Sequence, residues 1–265
     1  MKKLIKQILA LLWAKRNFKF FQKRVLINAD LEKLQRTIES LTFEKYIQPI
    51  ELNVPTNKKI LIIAPHPDDE VLGCGGYLIR AKEKGCELYL VSLTLGSENE
   101  SIQRQSELEA VMSELSIDRH LSLNWRQNCI REELSQSDSV EKKIEEYNPD
   151  QILIPFILDN HPDHIDSNLV MTKLNGNINC EVLCYQVYSN ILTNTYLDIT
   201  NIAEKKYSLM NNYKSQVDNF DFINWNRGLC AWNSRHAKNK EQKLIESYFT
   251  IPIDDYIKVC KNYFN

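Results

Sequence analysis

The sequence predicts an α/β protein: a Rossmann-like, mostly parallel sheet with helices on both faces, preceded by an N-terminal helical extension. Three observations carry that expectation. From Lys59 onward, short apolar runs rich in Ile, Leu and Val alternate with longer stretches of helical periodicity. Those intervening stretches, such as 72–84 and 98–115, are long enough for the crossover helices that join parallel strands. The chain has 265 residues, 43% of them hydrophobic and 26% charged, enough to bury a core and unlike a disordered or fibrous composition.

Taken in order, residues 60–64 form a β-rich run that ends in a Pro-containing loop. Residues 72–84 read as a helix, which Gly85 terminates. Next come a strand at 87–94, a helix at 98–115, a shorter strand around 120–123, a helix near 139–147 and a strand at 151–155. In such βαβαβ successions ligands gather at the carboxyl ends of the strands, so the loops after strands are where chemistry is expected.

The N-terminal part differs in kind, and the chain divides into an extension over 1–57 and a main domain over 58–265. Residues 1–24 hold six Lys and two Arg and no acid, so the overall charge of −2 conceals a basic arm on an acidic body. That balance excludes a nucleic-acid-coating main domain. Within 2–12, Leu4, Ile5, Ile8, Leu9, Leu11 and Leu12 share one helical arc and Lys2, Lys3 and Lys6 lie outside it. Phe18, Phe20 and Phe21 then interleave with Lys19, Lys23 and Arg24, a mixture suited to peripheral membrane contact. Packing on the domain or on a partner subunit is the alternative. Residues 29–47 read as a further short helix, and 53–59, with Pro55, as the linker.

The longest apolar run, residues 8–14, is far below the roughly 20 residues a membrane-spanning helix needs. Lys15 and Arg16 follow it where a secretory signal would place small residues. Seven cysteines without a CxxC spacing read as reduced thiols in a cytoplasmic protein, with the inner membrane face as the place a basic arm would take it. Cys74 reads as a small packed side chain.

Two motifs carry chemistry. Residues 64–70, Ala-Pro-His-Pro-Asp-Asp-Glu, follow the first strand, and residues 159–164, Asp-Asn-His-Pro-Asp-His, follow the strand at 151–155. Three of the chain's five histidines fall in them. Imidazoles with a carboxylate give the mixed N/O ligand set that zinc accepts, and a catalytic zinc site uses three protein ligands with one position open. A spare carboxylate beside the ligands is placed to hold or to deprotonate water. Either motif alone is also explained as a turn with a helix cap. Two copies, each at a strand's carboxyl end, point to one site. Glu70 reads equally as a group orienting a ligand and as a cap of the following helix. Gly73, Gly75 and Gly76 read as close-packing positions, since GCGG is not GxGxxG. His120 and His236 read as structural, and Tyr213 and Arg227 as pocket rim or packing.

On these residues the chain resembles the PIG-L/LmbE-like zinc-dependent N-deacetylases, over about residues 58–250. The resemblance is strongest in APHPDDEVLGCGG (64–76) and HPDH (161–164). Weaker echoes are Thr94-Leu95-Gly96, the 104–108 stretch Arg-Gln-Ser-Glu-Leu, the 213–216 stretch Tyr-Lys-Ser-Gln, and Arg227-Gly228. The resemblance implies that His66, Asp69 and His164 bind one Zn2+, with Fe2+ as the alternative metal. It also implies that Asp68 is the general base, that His161 assists the tetrahedral intermediate, and that Arg104 lines the sugar pocket. Where family members often carry an Asp after the third strand, this chain reads Leu-Asn-Trp-Arg-Gln-Asn-Cys (123–129), so Asn124, Gln127 or Asn128 takes that place. Asn128 and Asn160 are assigned to substrate contacts. The implied reaction is hydrolysis of the N-acetyl amide of an N-acetylglucosamine-type glycoconjugate, as in cell-envelope glycan or glycolipid biosynthesis. An amidase for another N-acyl or thiol conjugate and a catalytically silent sugar-binding scaffold are the alternatives. His161 reads as a donor to the oxyanion or to the departing amine.

Overall fold

The computed structural model describes Arg36 and residues 49–96, 100–135, 140–174, 178–237 and 243–264. The expected helix at 2–12 and the basic arm lie outside the described residues, as does the 29–47 helix apart from Arg36, which is helical.

The elements in chain order are β1 (Ile50–Glu51), β2 (Lys59–Ala64), α1 (Asp69–Glu83), β3 (Glu87–Thr94), α2 (Ser101–Leu115), β4 (Arg119–Trp125), α3 (Ile130–Ser135), α4 (Val140–Tyr147) and β5 (Gln151–Pro155). There follow α5 (Pro162–Ser167), α6 (Leu169–Thr172), β6 (Glu181–Tyr185), β7 (Thr195–Asp198), α7 (Ala203–Met210), α8 (Lys214–Val217), α9 (Phe222–Asn233), β8 (Ile245–Pro252) and α10 (Ile253–Phe264). The eight strands form one sheet in the order β1-β7-β8-β6-β5-β2-β3-β4. Among the described residues β8 is the antiparallel member, paired with β6 and β7, while the other pairings are parallel. The mostly parallel sheet expected from the βαβ rhythm is therefore present. Ile50–Glu51 joins the sheet from the N-terminal side of the 57/58 boundary, pairing with β7.

Alternation along the buried strands builds the layers. On β2, Ile60, Ile62 and Ala64 join one core with residues of α1, α2 and α7. Leu61 and Ile63 join the other, with residues of α3, α4 and α10. Because successive strand side chains point to opposite faces, one continuous apolar run serves both cores. The chain runs outward from β2 to β3 and β4, then returns to place β5 on the other side of β2. The loops after β2 and β5 thus open at the point where strand order reverses, the crevice where such sheets bind ligands.

Two expected elements are longer than their pattern. Helix α1 starts at Asp69, since its first residues are the polar Asp69 and Glu70, which contribute nothing to an apolar period. Strand β4 spans Arg119–Trp125, and as a partly exposed edge strand it has little alternation to read.

Helix α1 is broken at Cys74, whose φ of −142° is non-helical. The backbone groups freed there are met by side chains from distant elements. The Leu72 carbonyl accepts from Lys206 Nζ and Asn226 Nδ2, each at 2.9 Å. The amides of Gly76 and Tyr77 donate to the Glu246 carboxylate at 2.7 and 2.9 Å. Lys206 and Glu246 pair with each other at 2.8 Å, both buried. The break also lets α1 lie close to the sheet: a Cβ at Gly73 would stand 2.1 Å from the Tyr185 ring, and one at Gly76 2.4 Å from Ile199. The close-packing role expected of these glycines follows from those distances.

Candidate metal and catalytic site

The loop after β2 turns sharply so that His66, Asp68 and Asp69 reach the crevice. Thr94, at the end of β3, fixes this loop: its amide and hydroxyl both donate to the Pro65 carbonyl, at 3.0 and 2.9 Å. From the other side the loop after β5 brings His161, Asp163 and His164. His161 is the N-cap of α5, with Pro162 at the first helical position.

The six side chains converge. Ring nitrogens of His66, His161 and His164 lie within 4.8 Å of one another. Asp69 lies between two of these rings, its Oδ2 at 3.1 Å from His66 Nδ1 and 3.2 Å from His164 Nε2. The far nitrogen of each ring meets another carboxylate: His66 Nε2 is 2.9 Å from Asp163 Oδ2, and His164 Nδ1 is 3.3 Å from Asp159 Oδ1. Such outer carboxylates fix ring orientation and tautomer around a metal. Asp163 is itself held by the Asn128 amide, which donates to Oδ2 at 2.9 Å.

The donor set suits a dication. Asp69 Oδ1 and both ring nitrogens of His164 are buried without a hydrogen-bond partner, the ring nitrogens being near carboxylates but misaligned with them. Buried polar atoms are rarely left so, and an ion is one resolution. The charges agree. Against burial, which disfavours it, the Asp69 and Asp159 carboxylates raise His164 to about 10. Against the same burial penalty, His164 and His66 hold Asp69 well below the usual carboxylate range. The carboxylates favour a positive charge among them, which a divalent cation supplies in place of the imidazolium proton.

Asp68 is the buried carboxylate next in sequence to Asp69. Its φ of +120° is a strained conformation for a residue with a Cβ, held because Glu70 braces it. The Asp68 amide donates to Glu70 Oε2 at 3.2 Å, and the Tyr213 hydroxyl donates to Glu70 Oε1. Glu70 is therefore a brace for Asp68 at the start of α1, close to the capping role expected of it. Burial and then the Asp69 charge push the Asp68 carboxyl up, with Arg104 and His66 opposing. Burial likewise pushes Glu70 up to about 7.

His161 is neutral. Burial, then the positive charges of His66 and His164, lower it to about 4, and its Nδ1 accepts from the Asp163 amide at 3.2 Å. The ring thus keeps its proton on Nε2.

Arg104 is buried at the loop after β3, where its side chain lies across Gly96, whose φ is +78°. Burial raises both Asp68 and Tyr188, and the Arg104 charge opposes both shifts. Asn128 lines a cavity of about 580 Å3 with Leu95, Gly96 and Asn124. Its contact with the cluster is through its backbone. Asn160 is exposed beside Asp159. Arg227 lies off the site, stacked on Tyr207 and paired with Glu204. His120 pairs with Ser92 at 3.0 Å, away from the cluster. Tyr213 is buried against Glu70 instead of lining a rim. Sequence reasoning missed Tyr188, whose ring stacks on His164 with centroids 5.3 Å apart and planes at 14°. It follows β6, which has no chemical motif.

Residues 61–174 match the family described as PIG-L, GlcNAc-PI de-N-acetylase. A 1D-myo-inositol 2-acetamido-2-deoxy-alpha-D-glucopyranoside deacetylase of Mycobacteroides abscessus is 26% identical over 153 residues. That match covers 44% of this chain and 55% of the relative, about half its length. Among solved structures, the N,N'-diacetylchitobiose deacetylase of Pyrococcus horikoshii has a TM-score of 0.64 at 20% identity, covering 91% of this chain and 94% of that one. A conserved protein of Thermus thermophilus has a TM-score of 0.61 at 20% identity, covering 72% and 93%. These two likenesses establish a shared fold.

Proposed function

We propose, from the match of residues 61–174 to the family described as PIG-L, GlcNAc-PI de-N-acetylase, that the chain hydrolyses the N-acetyl amide of an N-acetylglucosamine-type glycoconjugate to a free amine and acetate. The observation that carries this reading is the convergence of His66, Asp69 and His164 from two loops, with Asp68 and His161 beside them. His66, Asp69 and His164 would hold zinc. When bound, zinc lowers the pKa of water and polarises a carbonyl.

The chain's own residues supply the rest. Asp68, whose carboxyl is pushed up and makes no cap hydrogen bond, takes the proton of the attacking water and returns it to the amine nitrogen as the C–N bond breaks. His161, neutral with its proton on Nε2, donates to the carbonyl oxygen as charge builds there. A neutral imidazole bonded this way is a poor acid, which favours Asp68 as the proton donor to the amine. Arg104 and the loop carrying Asn124 and Asn128 face the sugar, with Asn160 at the rim.

The basic arm over 1–24 suits an anionic membrane surface and a cell-envelope glycan. Equal partitioning of the full chain and a chain beginning at residue 25 onto anionic vesicles removes that part of the reading.

The test is acetate release from N-acetylglucosamine conjugates before chelation, after it and after zinc is restored. Activity should vanish and return, and His164→Ala should lose it. Turnover that persists in the chelator overturns the metal assignment.

A further inference from the structure

The strand order sets the cluster between two cavities, one of mixed lining and one chiefly aromatic and apolar. The cluster rides on the loops after β2 and β5. On the β3–β4 side is the 580 Å3 cavity, with Ser101, Asn124, Arg126, Gln127 and Asn128 in its wall. On the β6 side, the loop after β6 and helix α9 enclose a groove of about 390 Å3, lined chiefly by Leu72, Tyr188, Phe222, Trp225, Leu229 and Trp232. Its volume lies within the roughly 300–1,000 Å3 of small-molecule sites.

The groove adjoins the cluster through Tyr188. Tyr188, stacked on His164, also contacts Trp225 at 6.2 Å between centroids. Trp225, Leu229 and Trp232 follow one stripe of α9, and the two tryptophans remain 65% and 62% exposed. The amide side chain in this wall is already committed: Asn226 Nδ2 donates to the Leu72 carbonyl, and its Oδ1 accepts from Cys230 Sγ. Sugar hydroxyls buried here would find few partners, whereas apolar carbon would gain from burial.

An amide lying over the cluster has its nitrogen substituent on one side and its acyl carbon on the other. With the sugar on the Asn124–Asn128 side, the acyl carbon faces Tyr188. We propose that the aromatic groove holds the acyl chain, and that the enzyme prefers amino sugars N-acylated with a hydrocarbon chain longer than acetyl. This rests on the amide-hydrolase reading above and changes no step of it. Water adds to the acyl carbon, the C–N bond breaks, the nitrogen takes the proton, and the products are a fatty carboxylate and the amino sugar.

The test is a chain-length series on the full, zinc-loaded protein: methyl glycosides of N-acetyl-, N-butyryl- and N-octanoyl-glucosamine. The expected kcat/KM rises at least roughly tenfold from acetyl to octanoyl. Trp225→Ala and Trp232→Ala should each pull that ratio toward one. A binding readout needs no turnover: octanoate should quench tryptophan fluorescence at concentrations well below those acetate requires. A kcat/KM that is flat or falls with chain length, with acetyl still hydrolysed, overturns the inference and leaves the deacetylase reading standing. Absence of any carboxylate product overturns the reading itself. If the series is flat and Trp225→Ala instead abolishes binding to phosphatidylcholine vesicles, the patch is a membrane contact and the inference fails.

Discussion

At the scale of single residues, the division of labour proposed for Asp68 and His161 rests on backbone geometry as much as on side-chain chemistry. Asp68 is held at positive φ by Glu70, and Glu70 is held by Tyr213. Tyr213→Phe removes a hydrogen bond to a buried carboxylate, so kcat should fall severalfold with KM little changed, as steady-state kinetics would show. On the donor role proposed for His161, His161→Gln should lower kcat by about 10²-fold. It should leave the limb of the pH profile due to the general base in place. Disappearance of that limb would transfer the proton-taking role to His161. The side chains that converge at the crevice were legible because HPDDE and HPDH each pack several side chains able to ligate a metal into a few positions. The bracing residues were not: Tyr213 lies 143 positions from Glu70, and no local pattern joins them.

At the scale of elements, helix α1 begins within the HPDDE motif and is broken one turn later. Its freed backbone groups depend on a buried Lys206–Glu246 pair supplied by α7 and β8. Removing one member strands the other charge in the core. Lys206→Met is therefore expected to cost about 3–5 kcal/mol in denaturant unfolding. Gly73→Ala drives a methyl into the Tyr185 ring and should cost about 1–3 kcal/mol. An unchanged midpoint in either variant would mean the break is not held as described. The apolar and glycine pattern of 71–79 showed a helix that packs closely. It did not show the break, which no proline marks and whose partners lie far along the chain.

At the scale of the whole molecule, the βαβ rhythm over 59–155 was readable because central parallel strands are apolar on both faces. The segments after 155 were less so: β7 is four residues long, and β8 runs antiparallel, outside that rhythm. Several carboxylates tie the periphery together. Asp150 accepts from Lys58 and the Lys59 amide, and Asp118 from Lys82 and the Leu88 amide. Despite some burial, these bonds hold both carboxyls below their ordinary values. Folded values below the unfolded ones give stability that is complete above about pH 4 and lost as pH falls through them. The melting temperature should therefore drop on acidification below pH 4, and by less in Asp118→Asn. The central claim, amide hydrolysis at the β2–β5 crevice with Asp68 as the proton carrier, is tested most directly by one comparison. Acetate release from a methyl N-acetylglucosaminide is measured for wild type and Asp68→Asn, with zinc content determined on the same samples. The account predicts about one zinc in each and a rate at least about 10²-fold lower in the variant. Equal rates, or a zinc-loaded wild type that releases no acetate, would contradict it.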